Sequence, residues 1–266
     1  MFNFDNENSE TPAKIKVVGI GGSGINAVNY MIEKKFDSAE FITIDTDEKA
    51  LENSQTHCKI KFEDRAEIEK EIAGSDLIFI VAGMGGNTAV KIAPVIAEIA
   101  KSAGALTVAV VIKENADIEI KNLVPRADTV ITIFSDKILF ETVKAVSGLV
   151  TMPGIVNLDF TDLKTILTDS GNAFVGIGEA SGKKAVEKAA KIALNFPALG
   201  GVQGAGSILI SFTGAANSFS MQEVHEASMV IQDAVNEDAE IMWGMSIDEN
   251  LGDTVRVTII ATRFNG

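Results

Sequence analysis

Short apolar runs alternate with stretches of helical periodicity through the first half of the chain. Strands are predicted where Val and Ile dominate, and helices where apolar residues recur every three to four positions. Consecutive strand-helix-strand units of this kind predict a parallel sheet with helices on both faces. The predicted strands are 14–20, 40–47, 75–83, 105–112 and 127–134.

The pattern changes after a helix that is predicted over 137–152 and ended by Pro153 and Gly154. Four strands and two amphipathic helices follow in the order β-α-β-α-β-β, which predicts an α+β unit. The chain is therefore expected to divide into four segments, and the last strand is expected to end it without a C-terminal tail. These segments are a disordered arm (1–13), a parallel-sheet domain (14–136), a core helix (137–152) and an α+β domain (153–266).

Composition narrows the classes of partner. The net charge of −14 opposes the field of nucleic acid and of an anionic membrane surface, so neither is expected to contact the protein directly. Cys58 is the single cysteine, which excludes an internal disulfide and is typical of a reducing compartment. No apolar run reaches the ~18 residues of a membrane span. We expect a cytoplasmic protein.

A glycine-rich turn follows the first predicted strand. The sequence "GIGGSG" (19–24) matches G-x-G-x-x-G between a strand and a helix, and Asp45 closes the next strand, as a ribose-binding acid would. Gly21, Gly22 and Gly24 would let backbone N–H groups approach phosphate oxygens at a helix N-terminus. The alternative is that these glycines only make a tight turn. From this motif alone, a dinucleotide site is a fair interpretation.

A second glycine turn, "AGMGGN" (82–87), changes the interpretation because a nicotinamide site does not need it. Together with "GIGGSGINAVNYM", "FITIDTDEKAL", "PGIVNLDFTDLKTIL" and "DENLGDTVRVTIIATRF", it resembles FtsZ of the tubulin superfamily over most of the chain. The resemblance implies a GTPase-type nucleotide domain over 14–136, a shortened core helix and an α+β activation domain.

The resemblance also implies that the two turns hold GTP, with Mg²⁺ entering only with the nucleotide and no metal site of the protein's own. The implied cofactor-binding residues are Gly21, Gly22, Ser23, Gly24, Asn26, Asp45, Gly83, Met84, Gly85, Gly86, Asn87, Thr88 and Asp136.

The second turn departs from the family. FtsZ has a segment like "GGGTGTG" where this chain has residues 85–91, and four of the seven positions differ. Lys91 could supply a cation to phosphate, but exposure on the helix surface is the simpler interpretation, because a cation is disfavoured at a helix start without an anion. The two residues with which the family holds ribose, and the first half of the core helix with which it holds guanine, have no counterpart here. Asp136 is the polar group left to contact the base. We expect weak GTP binding, or none.

The segment "NLDFTD" resembles the family's catalytic loop, which positions water against the γ-phosphate of the next subunit in a filament. Asn157, Asp159 and Asp162 match that loop and are the predicted catalytic residues. Two carboxylates on an exposed turn can orient a water molecule and help hold a cation. The alternative is that both aspartates cap the helix that follows.

Two functions are therefore expected, in different classes. In the first, the chain is an FtsZ-like cytoskeletal protein of the cell-division type that binds GTP weakly, assembles head to tail with itself and hydrolyses GTP between subunits. In the second, it is a nucleotide-poor paralogue that caps or regulates filaments of a full-length FtsZ relative. A dinucleotide-binding Rossmann protein is third, because the second domain offers no acid/base constellation for hydride chemistry.

Overall fold

The computed structural model describes residues 13–112, 117–151, 154–156, 159–196 and 201–264. The predicted arm lies outside these ranges except for Ala13. The described strands are β1 (Ile15–Ile20), β2 (Glu40–Asp45), β3 (Cys58–Lys61), β4 (Leu77–Gly83), β5 (Leu106–Ile112), β6 (Thr129–Ile133), β7 (Gly154–Val156), β8 (Gly171–Ser181), β9 (Ser207–Gly214), β10 (Glu240–Ile247) and β11 (Thr254–Thr262). The helices are α1 (Gly21–Glu33), α2 (Glu48–Glu52), α3 (Arg65–Ile72), α4 (Asn87–Ser102), α5 (Asp117–Leu123), α6 (Asp136–Thr151), α7 (Phe160–Leu167), α8 (Ala185–Leu194) and α9 (Met221–Gln232), with a short 3₁₀ turn at Glu249–Leu251.

These strands form one sheet in the order β3-β2-β1-β4-β5-β6-β8-β11-β9-β10-β7. The seven strands from β3 to β8 are parallel, which confirms the predicted α/β architecture. From β1 the chain moves outward to β2 and β3, and then returns to the other side of β1 to form β4. The strand order therefore reverses between β1 and β4, and a crevice at such a point is where open α/β sheets bind ligands.

Helices cover both faces of the parallel strands. Val17, Phe79 and Val81 pack in one cluster with α1, α6 and α7, while Val18 and Ile80 pack in another with α3, α4 and α5. Neighbouring residues of one strand thus enter opposite cores because side chains alternate across a sheet. This double burial explains why β4 and β5 are apolar at almost every position.

The second half of the chain has the predicted β-α-β-α-β-β order, in β8, α8, β9, α9, β10 and β11. Helices α8 and α9 cover one face of these strands, and α6 and α7 pack against the other. The two halves share the sheet through only three pairs, which join Thr129–Ile131 of β6 to Gly171–Ala173 of β8. The sequence predicted the two architectures but not their union in one sheet.

Both edges of the sheet are short. At one edge β3 has four residues, and its Lys59 and Lys61 side chains are exposed on either side of buried Ile60. At the other edge β7 has three residues and pairs with β10 only around Met245. Within the described ranges no helix is long and apolar enough to cross a membrane.

Candidate functional site

The two glycine turns meet at the carboxyl ends of β1 and β4, where the strand order reverses. Helix α1 begins directly after β1, and α4 begins at Asn87 after the turn that follows β4. Gly21 has a φ of +69°, a conformation that favours glycine. A Cβ on Gly21 would lie 3.7 Å from Cβ of Thr88 and 3.8 Å from the backbone nitrogen of Ala89. The two helix starts are therefore in contact.

Two further glycines lock α1 against β4. A Cβ on Gly24 would lie 2.5 Å from the carbonyl oxygen of Val81, and one on Gly83 would lie 2.6 Å from Oγ of Ser23. Because the first obstacle is backbone, the missing side chain of Gly24 serves the packing of the helix on the strand. Gly24 was predicted to lie against phosphate, and the structure shows it in helix–strand packing, the usual role of the last glycine of this motif.

Gly22 and Gly86 differ from these glycines because they face open space. A Cβ on either would meet no atom within 4 Å, and both residues are exposed. Gly22 lies in the first turn of α1, and Gly86 is the N-cap of α4. Neither helix has a side-chain cap or an acidic residue in its first turn. The first N–H groups of both helices therefore point to the same edge without a capping side chain, an arrangement suited to an anion.

The remaining predicted ligands of the second turn differ in what they can offer. Gly85 and Asn87 are exposed, and Thr88 is half-buried beside Gly21. Met84 is buried, and its backbone N–H donates to the carbonyl oxygen of Ile112 at 3.0 Å, so it holds the turn to β5 rather than facing a ligand.

Asp45, Asn26 and Asp136 are the predicted ligands outside the two turns. Asp45 ends β2 and is only 4% exposed, and its Oδ1 accepts from the backbone N–H of Asp47 at 3.0 Å. One oxygen of this carboxylate therefore shapes the turn into α2. Asn26 is exposed on α1, four residues after Gly22. Asp136 is the first residue of α6, and its side chain lies outside the described part.

The predicted catalytic aspartates cap a helix. Asp159 is the N-cap of α7, and its Oδ1 accepts from the backbone N–H of Asp162 at 2.8 Å. Oδ2 of Asp162 accepts in return from the backbone N–H of Asp159 at 3.0 Å, which completes a capping box. The capping alternative therefore holds as a structural fact, and it fixes the orientation of both carboxylates on an exposed turn. Asn157 lies outside the described residues.

The aspartate turn and the glycine turns are far apart along the fold. Helix α6 begins after β6 at the edge that carries the glycine turns, and its 16 residues span about 24 Å. Strand β7 and the aspartate turn come after it. At its other end α7 lies beside the start of β6, because the hydroxyl of Thr129 donates to the carbonyl oxygen of Leu167.

A doubly wound sheet with two glycine turns at its switch point, continued into an α+β unit, defines a class of nucleotide-binding α/β proteins. The model of the tubulin/FtsZ family GTPase domain matches residues 58–141, and that of the FtsZ family C-terminal domain matches residues 171–265.

Solved structures give the same result. The chain is similar to an empty FtsZ dimer of M. jannaschii with 31% identity and a TM-score of 0.85, covering 96% of this chain and 89% of that chain. It is also similar to a GTPγS-bound protofilament of CetZ2 from Haloferax volcanii, with 16% identity and a TM-score of 0.76, covering 93% and 92%. The second likeness is one of fold alone. The chain belongs to the tubulin/FtsZ family, a cytoskeletal family that forms filaments.

Proposed function

We propose that this protein binds GTP in the crevice between β1 and β4 and assembles head to tail, and that Asp159 and Asp162 of one subunit act on the nucleotide of the next. The observation that carries this proposal is the contact between two uncapped helix starts, those of α1 and α4, at one edge of the sheet. Both dipoles favour negative charge there, and Gly22 and Gly86 leave room for phosphate oxygens.

The aspartate turn supports the assembly part of the proposal. Asp159 is exposed and is held by the capping box, so its carboxylate is oriented before any partner arrives. Such a group can position an attacking water molecule and help to hold a cation near a transferring phosphoryl group. Because the turn follows α6 and lies apart from the glycine turns, a neighbouring subunit is the natural source of the phosphate on which it would act.

Affinity for GTP is expected to be low. The residues with which FtsZ contacts ribose and guanine have no counterparts in this chain, and each lost hydrogen bond is worth about 0.5–1.5 kcal/mol. Several together would weaken binding by orders of magnitude and reduce discrimination against ATP. Mg²⁺ is expected to enter with the nucleotide phosphates; within the described part of the chain no group of three or more His, Cys, Asp or Glu side chains lies together as a metal site.

The test measures binding and turnover on the full chain freed of nucleotide. Calorimetry with GTP, GDP and ATP in the presence of Mg²⁺ should show weak binding with little preference for guanine. Phosphate release should rise steeply with protein concentration, because the site is completed between subunits. The Asp159→Ala, Asp162→Ala double variant should keep nucleotide binding and lose turnover. Absence of GTP binding at millimolar ligand would overturn this proposal.

The second function, regulation of a full-length relative's filaments, is favoured by the departures at 85–91. In that case the protein alone should hydrolyse no GTP, yet should change the GTP turnover or filament length of a nucleotide-competent relative. The aspartate double variant should lose the effect on turnover. Phosphate release from the mixture, with light scattering alongside, distinguishes this function from self-assembly.

A further inference from the structure

The carboxyl end of α7 is held by side chains from both halves of the chain. Three consecutive carbonyl oxygens of its last turn each accept a hydrogen bond from a residue outside the helix. The pairs, with the donor first, are Thr129 and Leu167 at 2.6 Å, Thr262 and Ile166 at 3.2 Å, and Arg263 and Thr165 at 2.8 Å. The last carbonyl groups of a helix have no partner within it, so these bonds satisfy them. We call the three donors, Thr129, Thr262 and Arg263, the α7 clamp.

The clamp fixes the helix in a way that its apolar face does not. Leu163, Ile166 and Leu167 are fully buried, but apolar contact is non-directional and leaves a helix some freedom to tilt or slide. A hydrogen bond requires its donor at a defined distance and angle. Both threonines of the clamp are fully buried, so their hydroxyl groups are themselves held in place.

Arg263 has a backbone conformation that is unfavourable for its residue type. Its φ is +55°, in the left-handed region where residues other than glycine are uncommon. Such strain persists where the surrounding structure holds it, and it is concentrated at functional sites. The guanidinium group gives the strain a reason, because Nη2 donates to α7 and Nη1 donates to Oγ of Ser207 at 3.3 Å. The helix dipole also favours a cation at the carboxyl end of α7.

The amino end of the same helix carries the aspartate turn. Helix α7 has eight residues and is about 12 Å long, so a tilt of about 5° at the clamp would move the other end by about 1 Å. The capping box fixes Asp159 and Asp162 to the helix, and their carboxylates would therefore move with it. A misplacement of about 1 Å can slow a reaction about a hundredfold. The clamp is thus remote from the carboxylates, yet it determines where they lie.

We propose that Thr262 and Arg263 are positioning residues for the reaction between subunits, and that they act by holding the carboxyl end of α7. This inference rests on the proposed function. Strand β11 is antiparallel to β8, which is parallel to β6, so β11 ends at the edge of the sheet opposite the two glycine turns. Loss of the clamp should therefore lower the turnover number of the assembled protein and leave its affinity for GTP unchanged.

The first test separates turnover from binding with two matched pairs of variants. Thr262→Val removes the hydroxyl group and Thr262→Ser keeps it, while Arg263→Gly removes the guanidinium group and Arg263→Lys keeps a donor. Phosphate release per assembled subunit should fall about tenfold or more in Thr262→Val and Arg263→Gly. It should stay near the wild-type value in Thr262→Ser and recover in part in Arg263→Lys. Calorimetry should give the wild-type affinity for GTP in all four variants.

Melting curves show whether a loss of turnover is a loss of fold. Arg263→Gly should melt close to the wild type, because glycine adopts a φ of +55° without strain. A fall in turnover in this variant would then come from the lost contacts of the guanidinium group.

The second test needs no nucleotide, because it measures the position of α7 directly. Thr161 on α7 and Lys70 on α3 are both exposed, and cysteines at these positions can carry spin labels in a Cys58→Ser background. The distance distribution between the labels should shift or broaden by about 1 Å or more in Thr262→Val and in Arg263→Gly.

Lys59→Ala is the matched control, because Lys59 also donates to the last carbonyl oxygen of a helix, that of Glu52 in α2, at 3.5 Å. It should change neither turnover nor the distance distribution. Wild-type turnover in both Thr262→Val and Arg263→Gly, or an unchanged distance distribution, would overturn the inference while the proposed function stands. A wild type that releases no phosphate would refute the proposed function, and the inference would fall with it whatever the distances show.

Discussion

Two kinds of helix start can be compared in this protein. Helices α7 and α9 begin with capping boxes, formed by Asp159 with Asp162 and by Ser220 with Glu223. Helices α1 and α4 have no capping side chain and no acid in the first turn, although they are longer, with 13 and 16 residues. Capping is worth about 1 kcal/mol, and this chain also uses an aspartate cap at α2 and α3, through Asp47 and Asp64.

This difference distinguishes helix starts that the chain stabilises with its own side chains from helix starts that are open to a ligand. At α7 and α9 a side-chain oxygen of the chain accepts from one N–H group of the first turn, that of Asp162 or of Glu223. At α1 and α4 the first N–H groups are left for water or a ligand. Acidic residues that could cap them are abundant in this protein, as its net charge of −14 shows. Among the helices whose N-caps are described, α1 and α4 are the two that have neither a capping side chain nor an acidic residue in the first turn, and both begin at the proposed phosphate site.

The largest expected effect comes from the glycines of α1. Gly24→Ala places a Cβ 2.5 Å from the carbonyl oxygen of Val81, so we expect it to lower the free energy of unfolding by about 3 kcal/mol or more. Gly22→Ala meets no atom and should stabilise the protein without ligand, by up to about 1 kcal/mol. Urea unfolding measures both. Equal destabilisation by the two variants would contradict the packing role of Gly24.

Removal of a cap should cost less. Asp159→Ala and Ser220→Ala should each lower the free energy of unfolding by about 1 kcal/mol, because each removes one half of a capping box. Only Asp159→Ala should reduce GTP turnover. Ser220→Ala is therefore the control for the stability effect, and a parallel loss of turnover in both variants would show that Asp159 acts through the fold alone.

A substitution that supplies the missing acid should break the contrast between the two kinds of helix start. Gly22→Asp places a carboxylate in the first turn of α1 and should stabilise the protein without ligand by about 0.3–1 kcal/mol. The same charge should repel phosphate and weaken GTP binding. Gly22→Asn is the uncharged control of similar shape. Melting curves with and without GTP measure both effects, and unchanged GTP affinity in Gly22→Asp would argue against phosphate at this helix start.

The smallest effect concerns a solvated ion cluster on α8. Hydrogen bonds from Lys191 and Lys184 lower the pKa of Glu187 from 4.5 to about 2. The stability contributed by the ionised Glu187 carboxylate is therefore complete above pH 4.5 and is lost as the pH falls from there through about 2. Glu187→Gln should melt slightly below the wild type at neutral pH and together with it near pH 2. A difference that does not depend on pH would exclude an origin in charge.

Sequence patterns were sufficient for the elements that are long and periodic. The helix predicted over 137–152 is α6, Asp136–Thr151, and the predicted strands at 75–83 and 105–112 are β4 and β5. The short helices α2 and α5 and strand β7 were not foreseen, because three to seven residues carry too little periodicity to distinguish them from loops.

At the candidate site the sequence located the glycines but could not separate their roles. Gly22 and Gly24 were both predicted to lie against phosphate, although Gly24 is the last glycine of the motif and Gly22 occupies one of its variable positions. The position of β4 shows that Gly22 faces open space and Gly24 a carbonyl oxygen. The capping role of Asp159 was visible as an alternative because it depends on local spacing. The contact between Ser23 and Gly83 joins residues 60 positions apart, and no local pattern reports it.

The short edges of the sheet have a consequence for how copies of this protein can associate. A long open edge would invite another chain to add a strand, and a continuous cross-β fibre could result. Lysines at positions 59 and 61 place positive charge along one edge, and at the other edge the three described residues of β7 offer almost no template. If copies of this chain assemble as proposed, the filament would be a stack of intact folded units, which can separate again without breaking any sheet.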